Sequence, residues 1–300
     1  MGNLINSNSK SLFLPYLAAI FVVLVWAETF VTSKLLLQWG LAPADIYFYR
    51  ISVAYVCIWL LCHKRLWTDS RKDELTLMLM GVFGGSMYFF SENTALKYST
   101  AANVSIIVCV SPLVTSFLVS LLYKKEKPTR LQFFGSFIAF VGMALIVMNG
   151  NLVLHLNPLG DFLAFLGAFS WGCYSLFSKR MTSRYDSLFL TRKVFGYGLL
   201  STLPYFLFVC PLKTDAGVLG QNVVWLNLLY LALVPSLLCF FLWNWALPKL
   251  GTIRTTNMLY IQPFFTMLIA AWLLGERITP MAVVGAVVLT VGMFLAIRQA

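Results

Sequence analysis

The sequence predicts an all-α membrane protein in which ten transmembrane helices form two inverted five-helix repeats. Of its 300 residues, 60% are hydrophobic and only 11% are charged, whereas about a quarter of the residues in a soluble domain are charged. The apolar residues form runs of about 20, the length that crosses a bilayer as an α-helix. Strands in an open sheet would leave backbone groups unpaired in lipid, so helices are expected. Landmark residues recur at matching intervals in the two halves, which predicts the repeat.

Ten apolar runs follow one another along the chain, and each is predicted to be one membrane span. The first is too long for a signal peptide and lacks a small-residue cleavage site, so we expect it to remain as a span. In order, the runs are 13–37, 44–62, 75–96, 101–123, 132–149, 158–180, 187–210, 223–246, 252–274 and 280–297.

The basic residues lie mostly in the breaks on one side of the predicted bundle. With the N-terminus in the cytoplasm, the inner segments hold fourteen Lys and Arg residues and the outer breaks hold three. Cytoplasmic loops are enriched in Lys and Arg, so both termini are predicted to be cytoplasmic, with the chain in the inner membrane. This placement accounts for the net charge of +11 without nucleic acid, whose binding would need a continuous basic stripe with interleaved aromatic residues.

Two halves, 1–149 and 150–300, carry the same landmarks. Trp26 and Lys34 are spaced as Trp171 and Lys179 are. Five spans per half is an odd number, which inverts the second half, and inverted repeats are typical of secondary transporters that bind substrate near the midplane. The other landmarks are Ala95, Leu96, Pro112, Glu126, Gly135 and Gly142 in the first half, and Ala246, Leu247, Pro263, Glu276, Gly285 and Gly292 in the second.

This pattern resembles the EamA-domain family of the drug/metabolite transporter superfamily. The resemblance rests on the Trp in a small-residue-rich first span, the Ala-Leu pair, the proline of the fourth span, the turn at Gly275, Glu276 and Arg277, and the closing helix that contains glycine. It covers both halves, although the first half has Lys-Lys-Glu at 124–126 where the second has Gly-Glu. The resemblance implies a basket of ten helices in which spans 1, 3, 4, 6, 8 and 9 line a central cavity, and export of amino acids or other small metabolites.

Glu28 is the strongest single candidate, because it lies near the middle of the first apolar run. An ionisable group at the bilayer centre costs about 2.5–3.5 kcal/mol on insertion scales, so it normally faces a bundle interior or a wet cavity. Glu28 is predicted either to couple transport to proton exchange or to bind a substrate ammonium. The alternative is a structural role as partner of a cation such as Arg50, which only tertiary packing could bring close.

Polar residues at repeat-equivalent positions predict two gates, one at each end of the cavity. Asn93 pairs with Asn244, and Asn103 pairs with Arg254, with Glu92 beside the first pair. The alternative is that the Asn side chains only hydrogen bond to neighbouring helices.

Aromatic side chains on the spans expected to line the cavity are candidates for stacking on the substrate or attracting its cation. Most aromatic residues of a membrane protein face lipid or form interfacial belts, so Trp26 and Trp171, which are repeat-equivalent and near mid-span, are preferred. The full set of aromatic candidates is Trp26, Tyr88, Trp171, Tyr174, Trp243 and Tyr260.

Two prolines are predicted to bend helices, and several basic residues are predicted to anchor helix ends. Pro112 and Pro263 occupy equivalent positions within predicted cavity helices, where each removes a backbone hydrogen bond, so they are predicted to bend during gating. Long basic side chains towards span ends can reach water and are expected to anchor the helices. These are Lys34, Lys179, Arg50, Arg192 and Lys193.

The sequence lacks the motifs of the common enzyme and metal classes. It has no P-loop, no GxSxG and no HExxH, and His63 and His155 are isolated, so neither ATP-driven transport nor a metal or other cofactor is expected. The six cysteines show no CxxC spacing, which argues against zinc and disulfides.

These observations predict a secondary transporter that exports a small metabolite across the inner membrane by alternating access. A neutral or aromatic amino acid is the expected substrate, and proton exchange is a candidate driving force. An alternative within transport is a facilitator that exports small drugs, nucleobases or other metabolites. A membrane scaffold and a membrane enzyme are the rivals from other classes. The expected partners are the substrate and the lipid bilayer, and the sequence predicts no oligomeric state.

Overall fold

The structure, a computed structural model, describes residues 2–63, 65–99, 101–122, 129–148, 157–212, 216–274 and 279–297. Every regular element within these ranges is a helix, and no strand occurs among them. The predicted all-α class is therefore confirmed for the described residues.

The first half contains seven α-helices and one π-helical segment among its described residues. The segment Val82–Ser86 joins α3 and α4 into one continuous rod. The helices are α1 (Gly2–Gln38), α2 (Pro43–Leu61), α3 (Arg71–Gly81), α4 (Met87–Tyr98), α5 (Ala101–Val108), α6 (Ser111–Leu122) and α7 (Arg130–Met148).

The second half has the same plan with one short additional helix, α10. A π-helical segment, Ala232–Leu238, joins α11 and α12, and a 3₁₀ segment, Met258–Ile261, joins α13 and α14. The helices are α8 (Pro158–Met181), α9 (Ser187–Phe208), α10 (Ala216–Leu219), α11 (Asn222–Leu231), α12 (Cys239–Leu250), α13 (Thr252–Asn257), α14 (Gln262–Leu274) and α15 (Pro280–Ile297).

Three helical stretches among the described residues are long and apolar enough to cross a membrane by length and composition. They are Leu12–Gln38, Pro43–Leu61 and Asn222–Leu250. Helix also occupies each of the other predicted ranges where the structure describes it, including α8 with 24 residues and α9 with 22, but these helices do not meet the same criterion of length and hydropathy. The number of ten spans therefore stays a prediction.

Local sequence explains several helix boundaries. Ser70 accepts a hydrogen bond from the backbone N–H of Asp73 at 3.1 Å and so caps α3, and Asn157 caps α8 in the same way. Such side chains satisfy N–H groups that the first turn of a helix leaves unpaired. Gly251 separates α12 from α13 with φ of +87°, a left-handed conformation that glycine adopts without steric cost.

The two π-helical segments lie at repeat-equivalent positions, offset from one another as Pro112 is from Pro263. A π turn interrupts the regular hydrogen-bond ladder of a helix and often marks a functional site. The same irregularity in both halves supports the repeat derived from sequence.

Pro112 follows a two-residue break between α5 and α6, whereas Pro263 follows the 3₁₀ segment that joins α13 to α14, and bending at these prolines during gating stays a prediction. Each is the second residue of its helix, Pro112 in α6 and Pro263 in α14. The first turn of a helix has no intrahelical partner for its N–H groups, so proline is tolerated there.

Helices α7 and α15 pack closely along their length through glycines. A Cβ on Gly142 would lie within 3.0 Å of the backbone nitrogen of Leu289, and a Cβ on Gly292 would lie within 3.0 Å of the backbone nitrogen of Ala139. These two contacts exchange under the sequence repeat, because Gly142 corresponds to Gly292 and Ala139 to Leu289. The last helices of the two halves thus meet through a pseudo-two-fold contact.

The largest buried cluster lies in the centre of the bundle and is formed mainly by α1, α2, α8, α9 and α12, with Phe89 from α4. Its middle is aromatic, with Trp26, Trp171, Trp243 and Phe240 buried together. This cluster forms one wall of the cavity that contains the candidate site.

Candidate functional site

A small cavity lies where α1, α2, α4, α8 and α12 meet the break between α5 and α6 and the 3₁₀ segment between α13 and α14. It is predominantly aromatic, with a small number of polar groups, as is usual for small-molecule sites. It is lined by Trp26, Thr29, Phe30, Arg50, Tyr88, Phe89, Glu92, Val108, Ser111, Trp171, Phe240, Leu259 and Gln262.

Helical spacing explains which residues of α1 reach the cavity. Trp26, Thr29 and Phe30 are separated by three and four residues, so they share one face of the helix. On α4, Tyr88 and Glu92 are likewise four residues apart and share a face. The interior faces of these two helices therefore supply both rings and a carboxylate.

Repeat-equivalent residues line the cavity in pairs. Phe89 corresponds to Phe240 by the interval that separates Pro112 from Pro263. The same interval relates two further pairs of lining residues, which lie at or beside the break and the 3₁₀ segment, namely Val108 with Leu259 and Ser111 with Gln262. The cavity thus lies on the pseudo-symmetry axis of the two halves.

Trp171 is the centre of the aromatic wall. Its ring centroid lies 5.1 Å from that of Trp26 at an interplanar angle of 87°, 5.1 Å from Tyr88 and 5.0 Å from Tyr174. Aromatic pairs favour such edge-to-face and tilted contacts. These contacts hold the indole of Trp171 in place beside the cavity.

Arg50 brings a buried positive charge to the cavity. Its side chain is only 1% exposed, and its Nε donates a 3.0 Å hydrogen bond to Ser236 Oγ in the π-helical segment. Its guanidinium carbon lies 4.6 Å from the ring centroid of Phe89. Its Nη1 is buried and has no hydrogen-bond partner among the described residues. A buried donor left unpaired is costly, so the geometry favours a ligand that accepts from Nη1.

Glu92 brings a carboxyl group to the same cavity. It is 2% exposed, the Tyr88 hydroxyl donates to its carboxylate, and it interacts electrostatically with Arg50. Within the described chain, no Glu92 oxygen comes within the 4.0 Å that would define a salt bridge with Arg50. The guanidinium and the carboxyl group are therefore close but not joined. The arrangement can bind a molecule that carries a cation and an anion of its own between aromatic walls.

The two repeat-equivalent tryptophans use their indole N–H groups differently. Trp26 Nε1 donates to the carbonyl oxygen of Pro235 at 2.9 Å. Trp171 Nε1 is buried without a hydrogen-bond partner in the part of the chain that the structure describes. Both rings line the cavity, but only the N–H of Trp171 is uncommitted.

Glu28 does not line the cavity, contrary to the expectation from sequence. It is half-buried, its Oε1 accepts a hydrogen bond from Thr32, and it lies within hydrogen-bonding reach of Tyr230 on α11. The physical reason is the direction in which the side chain points around the helix axis. At about 100° per residue, Glu28 points about 200° away from Trp26 around α1.

Asn93 and Asn244 also lie outside the cavity lining, and their role as polar gates stays a prediction. Asn93 donates to the carbonyl oxygen of Pro43 at 3.3 Å. Asn244 accepts from the Tyr174 hydroxyl at 2.8 Å and donates to Thr191 Oγ1 at 3.2 Å. Both amides hydrogen bond between helices, which is the alternative that the sequence left open.

The remaining candidates lie behind or away from the lining. Trp243 is fully buried and packs on Trp26 with ring centroids 5.1 Å apart. Tyr260 is fully buried in a second cluster with Cys109, and Arg254 is half-buried on α13. Asn103 lies on α5, but its side chain is outside the described residues.

Arg50 and three other basic residues that were expected to anchor helix ends have specific internal partners. Lys34 donates to the carbonyl oxygens of Leu96 and Ser99, where the negative end of a helix dipole favours a cation. Arg192 donates to the carbonyl oxygens of Cys62 and Arg65, and Lys193 pairs with Glu74. The anchoring prediction is wrong for Arg50, which packing of α2 against α4 and the π-helical segment carries into the interior.

Within the described ranges, no group of three or more His, Cys, Asp and Glu residues is placed to hold a metal ion. The polar groups at the cavity are those of Thr29, Arg50, Tyr88, Glu92, Ser111, Trp171 and Gln262.

The chain matches the EamA-like transporter family twice, over residues 13–148 and 158–298. Similar proteins include an uncharacterized transporter of Archaeoglobus fulgidus, 27% identical over 96% of this chain and 97% of that protein. A probable amino-acid metabolite efflux pump of Salmonella typhimurium is 27% identical over 92% of each chain. A probable terminal-alkyne amino-acid exporter of Streptantibioticus cattleyicolor is 26% identical over 94% of this chain and 93% of that protein.

Among the solved protein structures with a similar fold is a crystal structure that aligns over nearly the whole chain. It superposes with a TM-score of 0.72 and covers 94% of this chain and 96% of its own. Its sequence is only 17% identical, so it supports the arrangement of helices and says nothing about the ligand.

Proposed function

Because the chain belongs to the EamA-like transporter family, we propose that it is a secondary transporter that exports a neutral or aromatic amino acid through the central cavity. Family membership indicates a multi-pass membrane transporter rather than an enzyme. Relatives named as an amino-acid exporter and as amino-acid metabolite efflux pumps support the substrate class and the outward direction.

The observation that carries the proposal is the separated pair of ionisable groups at the cavity. Arg50 and Glu92 are both buried, and Nη1 of Arg50 lacks a partner among the described residues. An amino acid carries a carboxylate and an ammonium on one carbon. The carboxylate binds Arg50, because a guanidinium presents planar donors that match a carboxylate. The ammonium binds Glu92, which neutralises it in the desolvated site.

The aromatic wall then selects the side chain. Trp171, Tyr88 and Phe240 present ring surfaces to the cavity, and such surfaces favour apolar and aromatic groups. A charged side chain would be desolvated without a partner, which is costly. The site therefore favours neutral and aromatic amino acids over acidic and basic ones.

Alternating access follows from the position of the site between two halves. Ser111 and Gln262 lie at the starts of α6 and α14, directly after the break and the 3₁₀ segment respectively, and both line the cavity. Helices that are interrupted beside a site allow one half to rock against the other. Pro112 and Pro263, which begin the second piece of each broken span, act as the hinges.

The orientation and driving force belong to the same proposal. The basic residues of the breaks favour an inner-membrane protein with both termini in the cytoplasm. Glu28 is the proton acceptor of a proton-coupled cycle, since it is a second acidic group outside the cavity. Tyr230 lies beside Glu28 and interacts electrostatically with Arg50, which connects the two sites.

The test is counterflow of labelled amino acids in liposomes containing the purified protein. We expect saturable exchange of aromatic and neutral amino acids. Arg50→Gln should remove the preference for an amino acid over its decarboxylated amine. Glu92→Gln should remove the preference for an amino acid over the corresponding acid that lacks the amino group.

Lys97→Gln is the matched control, because Lys97 is exposed and does not line the cavity. It should exchange amino acids as the wild type does. Saturable exchange of drugs, nucleobases or sugars with no exchange of amino acids would overturn the substrate assignment. Unchanged selectivity in both cavity variants would overturn the roles of Arg50 and Glu92.

A further inference from the structure

We propose that a groove on the surface between α2 and α9 binds an anionic phospholipid, with the phosphate at Arg192 and Lys193. The groove is open to the surface and shares no lining residue with the central cavity. It is lined by Tyr55, Trp59, Leu66, Trp67, Arg192, Lys193, Gly196, Tyr197 and Leu200.

The groove lies at the level where two spans end. Trp59 is in the last turn of α2, which ends at Leu61, and Arg192 is in the second turn of α9. Trp59 is 46% exposed and Trp67 is 68% exposed. Exposed Trp and Tyr rings at helix ends are typical of the interface between the hydrocarbon core and the headgroups. The groove therefore lies at the depth of the lipid headgroups.

The groove has one more positive than negative charge. Arg192 is held by the carbonyl oxygens of Cys62 and Arg65, and Lys193 is paired with Glu74. The Lys193 ammonium also lies 4.6 Å from the ring centroid of Trp67. Since Glu74 neutralises one of the two cations, a headgroup with a single net negative charge complements the site. Basic pockets between spans are typical sites for such headgroups.

The apolar part of the groove requires a lipid tail rather than a soluble phosphate. Leu66 and Leu200 are more than half exposed along its sides. Its floor is tightly packed, since a Cβ on Gly196 would lie 3.1 Å from the ring of Tyr55. An acyl chain covers these exposed apolar side chains, which a soluble phosphate cannot do.

Native mass spectrometry of the full chain in neutral detergent tests this proposal, with phosphatidylglycerol and phosphatidylcholine added at equal concentration. We expect several-fold more phosphatidylglycerol to be retained. Lys193→Gln and Glu74→Gln both break the same ion pair, but they should act in opposite directions. Lys193→Gln loses the preference because a cation is removed, and Glu74→Gln keeps or increases it because Lys193 is released.

A second pair of variants tests the position of the lipid. Leu200→Trp fills the groove and should reduce retention. Leu207→Trp is the control, because Leu207 is on the same helix, is exposed and does not line the groove. Equal retention of both lipids, equal effects of Lys193→Gln and Glu74→Gln, or displacement by soluble glycerol phosphate would overturn the proposal. None of these results depends on amino-acid transport.

Discussion

Trp26 on α1 is tied through its indole N–H to the carbonyl oxygen of Pro235, 209 residues along the chain. The bond joins the first helix to the π-helical segment between α11 and α12. Trp171 occupies the equivalent position in the second half, and its N–H has no such bond among the described residues. The two halves therefore share a sequence pattern, but Trp26 links α1 to the π-helical segment, whereas Trp171 lines the cavity with an indole N–H that has no partner among the described residues.

This difference predicts separate effects for the two substitutions to Phe. Trp26→Phe loses a buried hydrogen bond and leaves the Pro235 oxygen unpaired, which costs about 1–3 kcal/mol. Trp171→Phe breaks no hydrogen bond seen in the structure, so we expect a smaller fall in Tm and a larger rise in KM for the amino acid. Thermal unfolding in detergent and liposome exchange measure the two effects. Equal falls in Tm with unchanged KM in both variants would contradict the assignment.

The close packing at Gly142 predicts that a larger residue at this position of α7 lowers the stability of the protein. A methyl group there would collide with the backbone of α15, which cannot move aside as a flexible side chain can. We expect Gly142→Ala to lower stability by about 1–3 kcal/mol, the cost of overpacking. Gly167→Ala is the control, since its Cβ would meet its nearest neighbour at 3.8 Å, an ordinary contact. Thermal unfolding should distinguish the two, and a similar Tm for both would argue against close packing of α7 on α15.

Glu28→Gln should uncouple transport from pH without weakening amino-acid binding. Glu28 lies outside the cavity lining, and the substitution keeps its size. The measurement is uptake into liposomes with and without an imposed pH gradient, together with binding affinity. Glu92→Gln, which changes the cavity itself, should weaken binding. Unchanged response to the pH gradient in Glu28→Gln would exclude Glu28 as the coupling group.

Glu74 predicts a pH-dependent contribution to stability at the end of α3. Burial opposes its ionisation, but hydrogen bonds from Lys193, Tyr197 and Thr68 outweigh burial and lower its pKa from 4.5 to about 2. A carboxylate whose pKa falls on folding stabilises the protein above its unfolded pKa, and this contribution is lost as the pH falls through the folded pKa. The Tm difference between wild type and Glu74→Gln should therefore be full above pH 4.5 and shrink towards pH 2.

Asp69→Asn provides the comparison for that experiment. Asp69 also forms an ion pair, with Arg65 at 2.6 Å, but its side chain is 78% exposed. Exposed pairs contribute about 0–1 kcal/mol. Its Tm should follow the wild type across the pH range, and a constant Tm difference for Glu74→Gln at every pH would contradict the lowered pKa.

Much of the helical arrangement could be predicted from sequence because it depends on local features. Apolar runs gave the helical ranges, and repeated landmarks such as Pro112 and Pro263 gave the equivalence of the two halves. The start of a new helix at each of these prolines could not be predicted from sequence, because a proline is compatible with a bend or with the start of a new helix. The packing of the helical pieces around the cavity is needed to distinguish a bend from the start of a new helix.

Four of the residues proposed from sequence lie at the cavity, and their roles in substrate binding stay predictions. Trp26, Tyr88, Glu92 and Trp171 line the cavity. Glu28 was misplaced because an apolar neighbourhood gives the depth of a residue but not the direction in which it points. Trp26 and Glu28 are about 200° apart around the helix axis, so both side chains cannot lie on one face of α1. That signal was present in the sequence.

Arg50 could not be placed in the same way. From its position along α2, the side chain of Arg50 could either extend to water or point into the interior of the bundle. Its burial depends on Ser236, which is 186 residues away and belongs to the π-helical segment. Such a contact is set by tertiary packing, and no local pattern contains it.

The glycine contacts between α7 and α15 have a consequence for how such a chain is built. In a two-fold homodimer, residue i of one subunit meets residue j of the other, and j meets i. Gly142 with Leu289 and Gly292 with Ala139 satisfy that condition within a single polypeptide. The contact therefore has the symmetry of an isologous subunit interface within one chain, so we expect the first half, expressed alone, to expose the face of α7 that packs on α15.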